Sequence, residues 1–433
     1  MEYITVVNAP MGAGKTTAAI NYMNAHPEKK FLYVTPFLDE VARVCECCEC
    51  DQPEDAKTTK TRDLLVKLQH GGNVATSHIL YSMMTDELLE EVRKQKYNLI
   101  IDEAPNAVEA LHVSASDIDL MLKSGIMEVG NEGLVIWKHD KYEGAFGKCR
   151  EAATRGLLYY TEHSLVRMMK PDLLYAFEDV ILMTYRYYGQ YFRCYCDWFR
   201  IPYKVVGVEV ADGVHRFADR EIKSSAIDYR SLITWFEHRR TKEDVDQNKM
   251  YPGDDKNDLS KSWYMYRGAE KPVRGRDESF PRKHKTRNES IHWLHTRLKS
   301  FVDNQAGTIS DCLWCCFKDD LNRFDCKIDS NGNIIGRLAS AFLHVNARAT
   351  NKYKDRHYAA YLVNRFADPN ISKFFAQRGI SVDADDFALG EALQWIWRSA
   401  IRDGEPITLY VPSARMKRII KKWLNDMAKG GDL

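Results

Sequence analysis

The chain has 433 residues, with 62 Lys and Arg against 61 Asp and Glu, so its formal net charge is +1. This length exceeds one ordinary hydrophobic core and predicts two or three domains. The balanced charge excludes a global positive field, so a nucleic-acid partner has to be bound by local patches. The sequence has neither an apolar run long enough to span a membrane nor a secretory signal pattern, which favours a cytoplasmic protein without a membrane partner.

The first predicted element is an apolar strand at residues 3–7, which leads directly into a glycine-rich segment. That segment reads Ala9-Pro10-Met11-Gly12-Ala13-Gly14-Lys15-Thr16-Thr17. Glycines allow backbone amides to surround a phosphate, a lysine reaches the terminal phosphates, and a threonine hydroxyl binds magnesium. We therefore predict a nucleotide-binding loop whose contacts are Gly12, Ala13, Gly14, Lys15, Thr16 and Thr17, with Lys15 catalytic and Thr16 a metal ligand.

Two further short strands are predicted after a helix that spans about residues 16–24. The run 31–35 is apolar and ends at Pro36, and the run 73–78 ends in small hydroxyl residues and a histidine. Strand ends of this kind face the ligand side of a parallel sheet. A repeated strand, helix and strand pattern is typical of an α/β domain.

Eleven cysteines in a long, charged chain favour reduced thiols over a disulfide framework. Four of them lie within six residues, at Cys45, Cys47, Cys48 and Cys50. These thiols could hold zinc or respond to oxidants, but their spacing differs from the two separated pairs of a tetrahedral zinc site. We favour a helix end that carries several thiols, and leave metal binding as an alternative.

A second half of a nucleotide site is predicted at the end of the apolar strand 97–101, where Asp102 and Glu103 follow. In phosphoryl transfer to water, the first carboxylate holds magnesium and the second orients and deprotonates the attacking water. We assign these roles to Asp102 and Glu103. The next region, about 107–170, contains a predicted hairpin at 126–137 and is expected to decorate the sheet, and the strand 179–183 is expected to complete it.

The second half of the chain contains four more apolar runs, which predict a second sheet. They lie at 203–210, 311–317, 341–345 and 407–411. The charged segment of about 238–290 is interpreted as a flexible insertion. Its aromatic group at 263–266 either stacks on unpaired bases or packs back on the domain. A basic helix from Ala414 to Met427, capped by Ser413, follows the last run.

The order of these motifs resembles that of superfamily 2 helicases, especially the divergent helicase-like proteins of bacteriophages and prophages. Residues 9–17 resemble motif I, Thr35-Pro36 motif Ia, Thr76-Ser77-His78 the next strand-binding motif, and 102–105 motif II. Thr184-Tyr185 stands where motif III would lie. Residues 344–351 resemble motif V, and residues 394–402 resemble the motif VI helix.

The resemblance implies an α/β fold with two RecA-like P-loop NTPase domains, at residues 1–200 and 201–433, which bind ATP and Mg²⁺ in the cleft between them. It implies that Gln394 contacts the nucleotide and that Arg398 and Arg402, four apart on one helix face, meet the charge that develops in the transition state. The nucleic-acid contacts that it implies are Thr35, Thr76, His78, Arg348, Thr350 and Asn351.

The predicted function is an ATP-dependent helicase or translocase on single-stranded or forked nucleic acid, with DNA favoured by the family alone. Replication or recombination proteins are the expected partners, and the cytoplasm of a bacterial host is the expected location if a phage encodes the chain. The alternative is a nucleotide-dependent switch or assembly ATPase that a protein partner controls. A small-molecule kinase is the weakest candidate, because it needs neither the acidic pair in this role nor the distant arginines.

Overall fold

The computed structural model describes residues 2–55, 59–139, 141–142, 144–222, 227–237, 251–266, 287–346 and 352–428. The strands are β1 (Ile4–Asn8), β2 (Lys30–Thr35), β3 (Val74–Ser77), β4 (Tyr97–Asp102), β5 (Val108–Leu111), β6 (Met127–Val129), β7 (Val135–Trp137), β8 (Leu158–Thr161), β9 (Ser164–Met168), β10 (Val180–Thr184), β11 (Tyr203–Val206), β12 (Val208–Ala211), β13 (Val214–Phe217), β14 (Ile233–Trp235), β15 (Cys312–Cys315), β16 (Cys326–Ile328), β17 (Ile334–Gly336), β18 (Tyr358–Tyr361) and β19 (Ile407–Tyr410).

The α-helices alternate with these strands along most of the chain. They are α1 (Lys15–Ala25), α2 (Leu38–Cys48), α3 (Lys60–His70), α4 (His78–Ser82), α5 (Asp86–Gln95), α6 (Ala115–Lys123), α7 (Gly147–Thr154), α8 (Asp172–Tyr175), α9 (Tyr191–Trp198), α10 (Lys261–Tyr266), α11 (Arg287–Phe301), α12 (Pro369–Ala376), α13 (Ala384–Ile396) and α14 (Ala414–Ala428). The chain divides into two compact units. The first contains Met1–Ile222 and Ala367–Asp386, and the second contains Lys223–Phe366 and Phe387–Leu433.

The first unit is built on a six-stranded parallel sheet in the order β11-β1-β10-β4-β2-β3. Its central strands are mostly apolar, as expected for a sheet that is buried on both faces. Val6 and Ile101 point into the core on one face, and Val7 and Ile100 into the core on the other, and all four are fully buried. The parallel arrangement brings the carboxyl ends of β1, β10 and β4 to one edge of the sheet.

Strand β11 corrects the sequence analysis, which placed the run 203–210 in the second sheet. This run pairs in parallel with β1 in the first sheet, so that assignment is wrong. Gly207 lies between β11 and β12, and a Cβ at this position would lie only 2.8 Å from Ile222, which explains the glycine. Beyond it the chain forms the β12–β13 hairpin. The composition of an apolar run indicates a buried strand but does not specify the neighbouring strand.

The region after β4 adds smaller layers to the first unit, as the sequence predicts. Strands β5, β9 and β8 form an antiparallel sheet, and β6 and β7 form the hairpin predicted at 126–137. A separate apolar cluster that includes Ile118, Met127 and Trp137 stabilises these layers. The predicted decoration of the main sheet is therefore confirmed.

The second unit contains a four-stranded parallel sheet in the order β14-β19-β18-β15. The predicted runs at 311–317 and 407–411 supply β15 and β19. The run 341–345 forms only an isolated bridge between Phe342 and Trp314, so its prediction as a strand is wrong. The sheet instead uses β18, whose short Tyr-Ala-Ala-Tyr sequence gave a weaker strand pattern. With these corrections, the predicted α/β architecture with two parallel sheets is confirmed.

The predicted flexible insertion at 238–290 is partly wrong. Trp263 and Tyr264 lie in α10 and are buried, and the Tyr264 hydroxyl donates a hydrogen bond of 2.8 Å to the Leu362 carbonyl. These two aromatic side chains therefore pack on their own unit and offer no surface for base stacking. The basic residues at 271–286 lie outside the described residues.

The last helix is close to its predicted bounds, and the Met416 amide donates to the Ser413 hydroxyl, which confirms the predicted cap. Arg415 on this helix is buried, and its guanidinium donates to the Asn364 side chain and to the Arg365 carbonyl. Across the described part of the chain, none of the helices combines the length and the apolar character that crossing a bilayer requires.

Candidate nucleotide-binding site

The predicted phosphate loop joins β1 to α1 at the carboxyl edge of the first sheet. Gly12 and Gly14 have φ angles of 81° and 82°, and α1 begins immediately afterwards at Lys15. Side chains other than glycine rarely adopt this left-handed conformation, which explains the two glycines in the sequence. The loop and the first turn of an 11-residue helix thus provide backbone N–H groups suited to an anion.

Lys15 folds back over the same loop. Its ammonium group donates to the Ala9 carbonyl at 2.6 Å and to the Pro10 carbonyl at 2.9 Å. The side chain therefore folds onto the start of the loop and places its positive charge there. A contact between Lys15 and the terminal phosphates stays a prediction.

The acidic pair lies at the same edge, two strands away from β1. Strand β10 separates β1 from β4, and Asp102 is the register partner of Met183. Glu103 follows with a φ of 66°, while its amide donates to the Met183 carbonyl at 2.9 Å. A left-handed glutamate at a strand end is a locally strained conformation of the kind that concentrates at functional sites.

Tyr33 connects the two halves of the site and was not among the residues predicted from the sequence. Its side chain is fully buried, its hydroxyl donates to Asp102 Oδ2 at 3.4 Å, and the Thr16 side chain is near enough to lower the pKa of that hydroxyl. Thr16 and Asp102 are the two predicted metal ligands, so one hydroxyl lies between them. The available signal was a single polar tip within the apolar run 31–34.

The electrostatics of Asp102 differ from those of an ordinary carboxylate. Burial, followed by the neighbouring charge of Glu103, raises the pKa of Asp102 to about 7, and the Lys15 ammonium opposes this shift. Burial is also the main cause of the pKa of Tyr33 lying well above its usual range. Glu103 and Lys15 thus act on the Asp102 carboxyl in opposite directions.

His78 adds a further polar group near this edge. One of its ring nitrogens lies 2.9 Å from the Asp102 carbonyl oxygen. The neighbouring Thr35 and Thr76 are buried, at 0% and 3% exposure. These two threonines were predicted as nucleic-acid contacts, but the structure leaves no exposed side chain at either position for such a contact.

The end of β10, where motif III was expected, is fixed within the first unit. The Gln190 amide donates to the Thr184 hydroxyl at 2.7 Å. Arg186 has a φ of 58° and forms an ion pair with Asp386, whose residue is 8% exposed. An ion pair between a half-buried arginine and a buried carboxylate therefore fixes the segment just beyond this strand.

The residues predicted from motif VI belong to the second unit. Gln394 lies in α13, but this helix ends at Ile396, so Arg398 lies in the following turn and Arg402 in the 3₁₀ turn Ala400–Asp403. The prediction that both arginines share one face of an α-helix is therefore wrong. Tight turns replace the helix, as the Arg398 amide donates to the Trp395 carbonyl. Arg398 is 5% exposed, which is unlike a solvated surface arginine.

Three further predicted contacts, Arg348, Thr350 and Asn351, lie outside the described residues. The cysteine cluster lies at the end of α2, which terminates at Cys48 with Glu49 in a left-handed conformation. This confirms the favoured interpretation of a helix end with several thiols. Within the ranges that the structure describes, no group of three or more His, Cys, Asp or Glu side chains is arranged to hold a metal ion.

Two family models match parts of the chain. The YonV C-terminal Rossmann-like domain matches residues 230–424, and the YonV middle domain matches residues 108–168. Among solved structures, an XPD helicase aligns over 98% of this chain and 95% of its own, with 12% identity and a TM-score of 0.47. The structure of S. tokodaii Xpd4 aligns over 97% and 94%, with 13% identity and a TM-score of 0.45.

A full-length relative is also found. The SPbeta prophage-derived protein YonV of Bacillus subtilis (strain 168) is 30% identical over 450 residues, which cover 98% of this chain and 100% of that relative. The predicted relation to prophage proteins is thereby confirmed. The similarity extends over both units, and the chain belongs to the YonV family.

Proposed function

We propose that the chain is an ATP hydrolase whose nucleotide site lies at the carboxyl edge of the first sheet. The observation that carries this proposal is the Tyr33 hydroxyl, which donates to Asp102 and whose pKa is influenced by the nearby Thr16 side chain. It brings a phosphate loop and an acidic strand end, 86 positions apart in the sequence, into one cluster. Neither half would support hydrolysis by itself.

The residues present suit magnesium with a nucleotide. A threonine hydroxyl and a carboxylate are hard oxygen ligands, and magnesium in nucleotide sites takes only one or two protein ligands, besides water and phosphate oxygens. Thr16 and Asp102 would hold the ion, which would neutralise charge on the phosphates. Lys15 would bind the terminal phosphates, and Glu103 would orient and deprotonate the attacking water.

We further propose that hydrolysis drives a helicase or translocase on nucleic acid, with DNA favoured. The support is the order of the motifs along the sequence, together with the prophage origin of the full-length relative. Arg398 and Arg402 remain the predicted source of positive charge for the transition state, and Gln394 a predicted nucleotide contact. The switch controlled by a protein partner uses the same phosphate site, so only the response to nucleic acid separates the two functions.

The test is a steady-state phosphate-release assay with four additions: none, single-stranded DNA, duplex DNA and single-stranded RNA. Glu103→Gln is the control for contaminating hydrolases, since it should retain nucleotide and lose turnover. Stimulation by one strand type supports the motor and identifies its track. Turnover that is equal under all four conditions contradicts the motor and favours the switch. Turnover that survives both Lys15→Ala and Glu103→Gln refutes the nucleotide site itself.

A further inference from the structure

The β12–β13 hairpin is an element of the first unit to which the sequence analysis gave no role. Its two-residue turn is Asp212-Gly213, with φ angles of 54° and 77°. This is the pattern of a tight turn that matches the twist of the flanking strands. The inner face of β13 carries His215 and Phe217, while Arg216 lies on the other face and pairs with Glu209.

The hairpin is fixed against α1 rather than suspended as a loop. The Asn21 side chain donates to the His215 carbonyl at 2.9 Å, and the Phe217 ring lies 5.6 Å from the Tyr22 ring between centroids. Just beyond the hairpin, Glu221 accepts a hydrogen bond of 2.7 Å from Asn8, the last residue of β1. These contacts attach the hairpin both to the helix and to the strand that flank the phosphate loop.

This mounting places the His215 ring directly against the phosphate loop. A Cβ built on Gly14 would lie 2.1 Å from Cδ2 and 2.6 Å from Nε2 of His215, which is closer than real atoms approach. Among the described residues, no hydrogen bond from a protein group to either ring nitrogen is seen. Val210, the register partner of His215, projects from the same face of the hairpin and is 61% exposed, so solvent reaches this face beside the ring.

We propose that His215 is a phosphate-contacting residue, whose ring N–H donates to an oxygen of the polyphosphate held by the loop. This inference rests on the proposed nucleotide site. Three features carry it: the ring is adjacent to a loop glycine, its supporting strand is anchored, and its hydrogen-bonding capacity is not used by the described residues. A donor beside a loop of backbone N–H groups suits an anion and not a cation.

The test measures binding of a fluorescent ATP analogue with Mg²⁺, and competition by ADP and by inorganic tripolyphosphate. His215→Phe keeps a ring against Gly14 but removes the donor, and His215→Gln keeps a donor. A hydrogen bond to a charged group predicts about tenfold weaker binding for the Phe variant and less than about threefold for the Gln variant. Arg216→Gln, on the opposite face of the same strand, is the matched control and should bind like the wild type.

Tripolyphosphate competition should weaken in the Phe variant by the same factor as ATP binding. A loss for ATP alone would place the contact on the nucleoside and overturn the assignment, as would equal losses in the Phe and Gln variants. Thermal unfolding without nucleotide checks the fold, and His215→Leu replaces the Phe variant if that variant melts early. Lys15→Ala distinguishes failure of the nucleotide site from failure of the His215 assignment. If Lys15→Ala binds nucleotide like the wild type, the proposed site is wrong. If Lys15→Ala loses binding and His215→Phe does not, only the role of His215 is wrong.

Discussion

Replacing Asp102 by Asn should stabilise the protein in a pH-dependent manner while it abolishes turnover. The pKa of Asp102 rises from 3.8 to about 7 on folding, chiefly through burial. The folded state therefore keeps a proton that the unfolded chain releases, and the wild type loses stability as pH rises between about 4 and 7. The shift corresponds to a penalty of roughly 4 kcal/mol on the charged form at pH 8, and relaxation of the site lowers the expected gain to about 2 kcal/mol.

The measurement is the urea midpoint of wild type and variant at pH 5, 6, 7 and 8, with EDTA and without nucleotide, so that no metal offsets the carboxylate. The difference in unfolding free energy should be smallest at pH 5 and largest at pH 8. Asp212→Asn, in the exposed hairpin turn, is the control and should stay within about 0.5 kcal/mol at every pH. A constant difference for Asp102→Asn, or one that shrinks as pH rises, would show that burial does not raise the pKa of Asp102.

Three further predictions concern the supports of the site and the role of one basic residue. Gly14→Ala should prevent nucleotide binding and lower the melting temperature, because the alanine must adopt a left-handed φ and its Cβ collides with His215. Adding His215→Ala removes the collision but not the backbone strain, so it should recover only part of the stability. Full recovery would show that backbone strain contributes nothing. Arg186→Met should lower the unfolding free energy by about 3 kcal/mol in chemical denaturation, since it leaves the buried Asp386 carboxylate without its cation. Adding Asp386→Asn should restore most of this stability. Equal stability of the single and double variants would exclude the unpaired carboxylate as the cause. Arg415→Met should lower the unfolding free energy by about 2 kcal/mol and leave nucleic-acid affinity unchanged, because the guanidinium hydrogen-bonds within the fold. Loss of affinity in a filter-binding assay without loss of stability would instead make Arg415 a nucleic-acid contact.

The nucleotide loop and the acidic pair could be predicted because each depends on consecutive residues. Gly12 and Gly14 supply left-handed backbone conformations at fixed positions, and Lys15 follows them at the first turn of α1. The pair Asp102 and Glu103 is recognisable because it ends an apolar run. Patterns of this kind survive in the sequence whatever the order of the strands.

Side-chain contacts between distant segments could not be predicted in the same way. Tyr33 reads as one more residue of an apolar strand until the sheet order places β2 beside β4 and its hydroxyl beside Asp102. His215 belongs to a hairpin whose preceding strand, β11, was assigned to the other sheet. Arg398 was predicted to lie in a helix, but that helix ends at Ile396, and Arg398 is buried in the following turn.

Short stretches of sequence thus specify the phosphate loop, the carboxylate pair and the alternating α/β elements. Which strands are neighbours, and therefore which side chains meet at the sheet edge, follows from the tertiary packing. The physical reason is that backbone conformation and apolar periodicity are set by residues near one another in the chain. Strand order and burial are instead set by the packing of the whole unit, in which Tyr33, Asp102 and His215 each depend on segments far away in the sequence.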